Sequence, residues 1–353
     1  MKLAQDYVCQ SCGASSAKWQ GRCPACGAWN ALLQETATIR ASGAKGPRAR
    51  QRIEPAVIET LVGDGETLER IDSGVLELDR TVGGGFARGS AVLLSGEPGI
   101  GKSTLLLQAA ASIAAQGRSA LYFSGEEVTD QIRLRASRLG LSRVPLGLVA
   151  ETCIERVLAT VEQAATPDFV VVDSIQTLWS EAIDSAPGTV GQVRAAMQAL
   201  IALAKTRGPV LVVVGHVTKD GHIAGPKAIE HMVDTVLTFE GEGGHNVRLL
   251  RATKNRFGPA NEIGVFEMHG DGLREVQNPS ALFLHQGDGE VPGSAVFAGM
   301  EGTRPLLVEI QALLAPSLYP APRRAVVGWD QNRLAMILAV LEARCGIRLS
   351  GQD

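Results

Sequence analysis

The sequence predicts an α/β protein with a small metal-binding module near its N-terminus. From about residue 61 onward, short apolar runs that end in polar residues alternate with helical patterns. This alternation is typical of a parallel sheet covered by helices. One of these strands is joined to a helix by a glycine-rich loop, and two Cys-x2-Cys pairs lie within the first 26 residues.

Composition places the chain among folded globular proteins. It has 353 residues, of which 45% are apolar and 20% charged, so it is too apolar to be disordered and long enough for two or three domains. Apolar runs such as 210–214 are far too short to span a bilayer, and the N-terminus does not resemble a signal peptide. We therefore expect a cytoplasmic protein without a membrane partner, and we expect the isolated Cys153 and Cys345 to be reduced and buried.

Charge is distributed unevenly along the chain. The first 52 residues contain eight Lys and Arg against Asp6 and Glu35, which sums to +6, whereas the whole chain carries -3. A basic arm on an acidic body indicates an anionic partner, and nucleic acid is favoured over membrane. A merely solvated tail is the alternative.

Four cysteines predict a structural zinc site in a module of residues 1–30. Cys9, Cys12, Cys23 and Cys26 form two pairs that could supply the tetrahedral sulfur set preferred by Zn2+. All four positions are thiolates, so no position is left open for catalysis. The spacing does not decide whether the module contacts DNA, a protein partner or the rest of the chain. Residues 31–60 read as a basic, flexible linker.

A phosphate-binding loop follows the predicted strand 90–95. Its pattern is Gly-x4-Gly-Lys-Ser, in the strand–loop–helix context that such a loop requires. Its residues are Gly96, Glu97, Pro98, Gly99, Ile100, Gly101, Lys102 and Ser103, with Thr104 opening the helix. Backbone N–H groups and Lys102 should hold the phosphates of ATP, and the Ser103 hydroxyl should bind Mg2+.

Two neighbouring strands end in acids that could complete a nucleotide site. The run 169–172 ends in Asp173, which could hold magnesium through water. The run that begins at Ala120 ends in Glu126 and Glu127, one of which could orient and deprotonate an attacking water. We favour Glu126, although both acids could simply cap the helix that follows.

Two basic segments are candidates for contacts with a phosphate chain. The strand 209–215 ends at His216, which is either a phosphate contact or a core histidine, and the glycine-rich loop after it contains Lys219 and Lys227. Farther along, Lys254 and Arg256 lie at the end of another predicted strand. They could act as fingers on a triphosphate of the same chain or of a neighbouring subunit, or could be a solvated hairpin tip.

These motifs together resemble the RadA (Sms) family of bacterial DNA repair proteins. The lead-in Ser73–Arg80 with Gly83–Gly85 and the phosphate loop fit the wider RecA, DnaB and KaiC group. The pentad Lys254-Asn-Arg-Phe-Gly258, combined with the four-cysteine N-terminus, is the specific part. The resemblance covers nearly the whole chain.

The resemblance implies a RecA-like ATPase domain over residues 61–278. It implies a DNA-dependent ATPase and helicase that forms hexameric rings on single-stranded DNA and drives branch migration of recombination intermediates, with a recombinase or a replicative helicase as a further partner. It also implies a C-terminal domain like that of Lon protease, of which residues 279–353 would be an incomplete beginning.

Carried over by position, the family's nucleotide residues fall on Lys102, Ser103, Asp173 and Glu126. The resemblance gives the first two to nucleotide and Mg2+, the third to Mg2+ and the fourth to the attacking water.

The family's coupling and DNA-binding residues fall on Lys254, Arg256, Lys219 and Lys227. The first two would link nucleotide state to the subunit contact and to DNA, and the last two lie in the segment matching the central DNA-binding loop. A recombination mediator that uses ATP only as a binding switch remains the alternative function.

Overall fold

A computed structural model describes most of the chain, in two compact units. The described residues are 6–9, 14–16, 18–35, 68–164, 167–216, 227–241, 246–284, 292–319, 322–349 and 351–353. The first unit comprises Met1–Gln277 with Met300–Arg304, and the second comprises Asn278–Gly299 with Pro305–Asp353. Among the described residues, no helix has the length and apolar character needed to cross a membrane.

The N-terminal module is a small antiparallel sheet around buried sulfur atoms. Its strands are β1 (Asp6–Cys9), β2 (Ser15–Ser16) and β3 (Leu32–Glu35), in the order β2-β1-β3. Cys9, Cys23 and Leu32 are its buried side chains among the described residues. Three residues make a very small apolar core, so the module needs a metal cross-link for stability.

A nine-stranded sheet forms the centre of the first unit. The elements, in chain order, are β4 (Arg70–Ile71), α1 (Leu76–Thr81), β5 (Phe86–Ala87), β6 (Ala91–Gly96), α2 (Lys102–Ala115), β7 (Ala120–Ser124), α3 (Thr129–Arg138), β8 (Gly147–Ala150), α4 (Ile154–Gln163), β9 (Phe169–Asp173), α5 (Val190–Arg207), β10 (Val210–His216), α6 (Lys227–Glu230), β11 (Thr235–Glu240), β12 (Val247–Asn255), β13 (Ile263–His269) and β14 (Gly272–Glu275). The strand order is β14-β13-β12-β11-β6-β10-β9-β7-β8, while β4 and β5 pair separately. The six strands from β11 to β8 run parallel, and β12, β13 and β14 extend the sheet in antiparallel fashion.

Both faces of the parallel strands are buried, as continuous apolar runs predict. On β6, Val92 and Leu94 belong to one hydrophobic cluster with helix α2, whereas Ala91 and Leu93 belong to a second cluster with helices α4 and α5. The twofold alternation of a strand therefore sends neighbouring residues to opposite layers. The predicted strand 169–173 is confirmed residue for residue, and the predicted strands 90–95 and 209–215 are each shifted by one.

The glycine triplet of the lead-in packs against the Lys-Asn-Arg-Phe-Gly pentad. A Cβ on Gly258 would lie 2.9 Å from the Cα of Gly83, so the two backbones approach as only glycine allows. The guanidinium of Arg70 fastens this contact, since it donates to the carbonyls of Phe257 and Gly85. Two motifs that lie far apart in the sequence thus form one piece of structure.

The second unit contains α7 (Ser280–Phe283), most of the hairpin of β15 (Ser294–Glu301) and β16 (Arg304–Gln311), and α8 (Gln331–Cys345). The predicted helix caps are confirmed: the Asp330 carboxylate accepts the Arg333 N–H at 2.8 Å, and Gly346 ends the helix in the left-handed conformation. The prediction for the two isolated cysteines is right for Cys153 and wrong for Cys345, which is exposed because α8 has no buried residue. The likeness of this segment to a Lon-type domain stays a prediction.

A pair of carboxyl groups makes folding of the lead-in sensitive to pH. Burial, together with a hydrogen bond to Asp72, raises the pKa of Asp79 from 3.8 to about 7. The same hydrogen bond lowers the pKa of Asp72. Asp79 therefore holds the shared proton, while its oxygens accept the backbone N–H of Ser73.

We expect the free energy of unfolding to fall as pH rises from about 4 to about 7. A carboxyl whose pKa is higher in the folded than in the unfolded chain contributes stability that is present below the unfolded pKa and is lost as pH passes the folded one. Asp79→Asn cannot titrate, and its amide can still donate to Asp72. Its melting temperature should therefore change less than that of the wild type between about pH 5 and pH 8.

Differential scanning calorimetry across this pH range measures the effect, in which each kcal/mol shifts the melting temperature by roughly 2–4 °C. Asp130→Asn, which alters an exposed acid on α3, serves as control and should keep the wild-type slope. Identical slopes for Asp79→Asn and the wild type would contradict the shared proton.

Candidate functional site

Four adjacent parallel strands end at the same edge of the sheet. In the register, His216 of β10 lies opposite Gly96 of β6, and Ser124 of β7 lies opposite Asp173 of β9. Because β10 also pairs with β9, the phosphate loop and the residues that follow each of the other three strands meet at this edge. Such an edge is where ligands bind in open α/β sheets.

The phosphate loop has a backbone that only glycine can adopt at its key points. Gly96, Gly99 and Gly101 have φ values of +155°, +77° and +117°. A Cβ on Gly96 would lie 2.6 Å from the carbonyl oxygen of Phe239, and one on Gly101 would lie 2.6 Å from a methyl group of the core. The loop is therefore curled tightly against β11, with Ser103 and Thr104 in the first turn of α2.

Lys102 is buried, and the loop's own backbone holds its ammonium group. Its Nζ donates to the carbonyl oxygens of Gly96 and Glu97, both at 2.8 Å. Burial lowers the pKa of Lys102, and the nearby charges of Asp173 and Glu126 oppose that shift. A buried cation with only carbonyl partners at the centre of a curled loop fits a polyphosphate, whose oxygens could replace those carbonyls.

Asp173 lies at the end of β9 and is fixed by a neighbouring phenol. The Tyr122 hydroxyl donates to Asp173 Oδ2 at 2.5 Å, and both side chains are buried. Burial and the adjacent carboxylate raise the pKa of Tyr122 well above its ordinary value, so its proton stays in place. One carboxylate oxygen is thus occupied, while the other can accept from water held by a magnesium ion.

Glu126 lies next to Asp173 and receives two hydrogen bonds. Ser174 Oγ donates to Glu126 Oε1 at 2.6 Å, and His216 Nε2 lies 2.9 Å from the same oxygen. Because a carboxylate only accepts, Nε2 carries a proton. Burial would raise the pKa of Glu126, but these two hydrogen bonds and the charges of His216 and Lys102 outweigh it, and the pKa lies below its usual value. His216, expected as either a phosphate contact or a core residue, is instead a partner of Glu126.

Glu127 has a different environment from Glu126. Its carboxylate forms an ion pair with Arg135 of helix α3 at 2.6 Å. Its backbone N–H donates to Ser124 Oγ, as at the start of a helix. The helix-capping role that the sequence left open for both acids therefore suits Glu127, whereas the position beside Lys102 and Asp173 belongs to Glu126.

Lys254 and Arg256 lie at the opposite edge of the sheet from the phosphate loop. Lys254 pairs with Val236 near the start of β11, and its Nζ donates to three carbonyl oxygens of residues 230–233 at 2.7–3.3 Å. Arg256 lies beyond the end of β12, not on the strand as the sequence pattern suggested, and contacts Asp234 at 3.3 Å with 58% of its side chain exposed.

The two predicted DNA-binding lysines are less accessible to description. Lys219 lies outside the described residues. Lys227 opens helix α6, and its side chain is likewise outside the description. Their assignment to DNA stays a prediction.

Three of the four predicted zinc ligands converge. The sulfur atoms of Cys9, Cys23 and Cys26 lie within 4.8 Å of one another, with Cys9 and Cys26 3.7 Å apart. A tetrahedral zinc ion with Zn–S bonds of about 2.3 Å would hold its sulfur atoms about 3.8 Å apart, so the cluster fits zinc. Cys12, the fourth predicted ligand, lies outside the described residues.

Sequence reasoning missed the two hydroxyl groups of the site. Tyr122 is a single polar residue in an apolar strand, and Ser174 directly follows the predicted magnesium acid. Both positions were readable as strand or turn residues, and only the pairing of β7 with β9 shows which acid each one contacts.

Family models match both parts of the first unit. Residues 66–222 match a model described as an AAA domain, and residues 7–34 match one described as a rubredoxin metal-binding domain. Among solved structures, an ATPase domain aligns with a TM-score of 0.52 at 14% identity, covering 61% of this chain and 94% of that one. A KaiC-like protein from Pyrococcus horikoshii aligns with a TM-score of 0.50 at 19% identity, covering 60% and 100%. These likenesses confirm the predicted α/β RecA-like ATPase fold.

Full-length relatives are much more similar in sequence. A DNA repair protein RadA from Brucella abortus is 56% identical over 357 residues, covering 100% of this chain and 76% of that protein. Those from Pseudomonas aeruginosa and Bacillus subtilis are 49% and 48% identical, each covering 100% of this chain and 77% of the relative.

Removing one zinc ligand should empty the metal site without touching the sheet of the first unit. We expect about one zinc ion per wild-type chain and almost none in Cys26→Ser, because three remaining ligands hold the ion poorly. Elemental analysis of the purified proteins measures this ratio. Cys345→Ser, which changes an exposed cysteine outside the cluster, should retain the full zinc content, and an equal loss in both variants would refute the assignment.

Proposed function

Since the chain belongs to the RadA family of DNA repair proteins, we propose that it hydrolyses ATP as a motor on single-stranded DNA and promotes branch migration of recombination intermediates. The observation that carries this proposal is the meeting of Lys102, Asp173 and Glu126 at one edge of the sheet. These are a phosphate-binding cation, a magnesium acid and a carboxylate with a lowered pKa. Together they are the parts that phosphoryl transfer to water requires.

The residues of the loop would bind the nucleotide. ATP with Mg2+ supplies a phosphoanhydride bond whose cleavage drives conformational change. Lys102 would exchange its carbonyl partners for phosphate oxygens, and Ser103 and Thr104 would donate from the first turn of α2. Asp173, already oriented by Tyr122, would hold the metal's water.

Glu126 would orient the attacking water and take its proton. Its lowered pKa keeps it ionised at neutral pH, so it can accept a proton without first losing one. Ser174 and His216 both bind Oε1, and Oε2 is left to face the water. Ser174 and His216 would therefore fix the direction from which the water attacks.

Lys254 and Arg256 would act on the nucleotide of a neighbouring subunit. Four residues of β6 separate the two edges of the sheet, which is about 13 Å of extended chain. Neither side chain therefore reaches the phosphate loop of its own chain. Head-to-tail assembly into a hexameric ring would bring this edge of one subunit to the nucleotide of the next, and hydrolysis would then move subunits relative to one another. Lys219 and Lys227 would contact the DNA phosphates inside such a ring.

Phosphate release with and without single-stranded DNA tests the proposal. We expect turnover that DNA accelerates, and we expect Glu126→Gln to lower kcat by about 10²- to 10⁴-fold because an amide cannot take the proton. Nucleotide binding by this variant should persist. Glu127→Gln is the matched control and should remain within a few-fold of the wild type, since Glu127 pairs with Arg135.

Tight ATP binding without any DNA-stimulated hydrolysis would contradict a motor and would favour a mediator that uses ATP only as a switch. Equal losses in Glu126→Gln and Glu127→Gln would instead contradict the assignment of the carboxylate.

Mixing two inactive variants tests whether the site is shared between subunits. Lys102→Ala lacks the phosphate contact and Arg256→Ala lacks the finger, so each alone should be inactive. In an equal mixture, about a quarter of the interfaces would join an intact loop to an intact Arg256, and hydrolysis should return to that extent.

Lys102→Ala mixed with Glu126→Gln is the control, because both changes fall on the same side of the interface and no complete site can form. Failure of the first mixture to recover activity, with subunit exchange verified by fluorescence energy transfer, would place Arg256 outside the reaction.

A further inference from the structure

The zinc module carries two exposed indole rings that converge over one glycine. Trp19 and Trp29 are 57% and 73% exposed, although tryptophan is highly buried on average in folded proteins. An atom of each ring lies within 4.0 Å of the point that a Cβ of Gly21 would occupy. We name these two rings, with the backbone of Gly21 between them, the tryptophan platform.

Backbone pairing and the cysteine cluster hold the platform in place. Arg22 and Trp29 form a β-bridge, and the Asn30 N–H donates to the carbonyl of Gly21 at 2.8 Å. Cys23 and Cys26, which lie between the two rings in sequence, belong to the metal cluster. The rings are therefore presented by a cross-linked turn, and little conformational entropy would be lost when a ligand binds.

The surroundings of the platform are free of negative side chains. Residues 7–34 contain no Asp or Glu, and they contain two cations, Lys18 and Arg22. The Arg22 guanidinium lies 5.8 Å from the centre of the Trp29 ring. The sequence continues with five more basic residues between 40 and 52 and no acid there. Aromatic faces beside cations suit a ligand that alternates flat rings with phosphates.

We propose that the tryptophan platform binds single-stranded DNA by stacking on its bases, while Lys18 and Arg22 contact the flanking phosphates. Every base has a π-face, so stacking on indole rings binds single strands without sequence preference. A duplex keeps its base faces covered and offers only edges and phosphates, so the unpaired strand is favoured. This second DNA contact rests on the proposed DNA-binding function but is separate from the ATPase domain. It assigns a ligand to the zinc module.

The test compares the zinc-loaded full chain with the double variant Trp19→Ala/Trp29→Ala. The probe is fluorescein-labelled oligothymidine, with an abasic oligomer of the same length as second probe. Stacking supports about fivefold or more in affinity for each aromatic residue removed, so the double variant should bind oligothymidine at least about 25-fold more weakly. Both proteins should bind the abasic oligomer alike, because it offers phosphates without bases.

Salt dependence distinguishes the rings from the cations. Counterion release gives a log–log slope of about -0.7 for each phosphate contact on a single strand. The double tryptophan variant should keep the wild-type slope, whereas Lys18→Gln should reduce its magnitude by about 0.7. Zinc content, measured for each variant, confirms that the module is still folded. Trp329→Ala, which removes a half-exposed indole from the second unit, is the matched control and should bind like the wild type.

Equal affinities of the wild type and the double variant for oligothymidine would overturn the proposal and leave the platform to a protein partner. Equal losses on the oligothymidine and abasic probes would overturn stacking as well. Failure of the proposed function looks different, because the wild type itself would then bind neither probe. Hydrolysis without DNA should be the same in all these variants, since none of them alters the nucleotide site.

Discussion

The parallel register of β6, β10, β9 and β7 is the constraint on which the candidate site depends. Neighbouring strands lie about 4.8 Å apart, so the ends of four strands fall within about 15 Å of one another. Each strand contributes a polar residue only where its apolar run stops, and each run stops at this edge. A slip of one residue in β9 would turn Asp173 away from Tyr122 and would bury a carboxylate without a partner. The hydrophobic pattern therefore fixes the chemistry along with the core.

Buried charge is the second constraint, and it distinguishes a structural carboxylate from a reactive one. Asp234 is buried, but Lys205, Arg256 and the Ala91 N–H all bind it, and these partners hold its pKa below the usual range despite burial. Lys102 instead has neutral carbonyl partners within its own loop. A phosphate can replace those carbonyls with a net gain in electrostatic energy, whereas no ligand could improve the pairing of Asp234.

Much of the fold and part of the site could be predicted from the sequence. The strands ending at Gly96, Asp173 and His216 were readable, because a continuous apolar run bounded by turn residues signals a strand buried on both faces. The placement of Lys254 and Arg256 was not, because a local pattern gives the end of a strand but not the edge of the sheet where that end falls. The choice between Glu126 and Glu127 also required the structure, since two adjacent acids have the same local signal and differ only in whether Arg135 or Ser174 is nearby.

The packing of Gly83 against Gly258 explains why the lead-in and the pentad belong together in one chain. Their backbones touch at about the Cα–Cα limit, and Arg70 donates to carbonyls on both sides, so the segment bearing Arg256 is anchored to the segment that begins the domain. Arg256 itself remains more than half exposed at an edge that cannot reach its own phosphate loop. A rigidly anchored, exposed guanidinium contributes to hydrolysis only if a second copy brings a triphosphate to it. The geometry of one chain therefore favours a shared site, and a shared site is what allows hydrolysis in one subunit to move its neighbour.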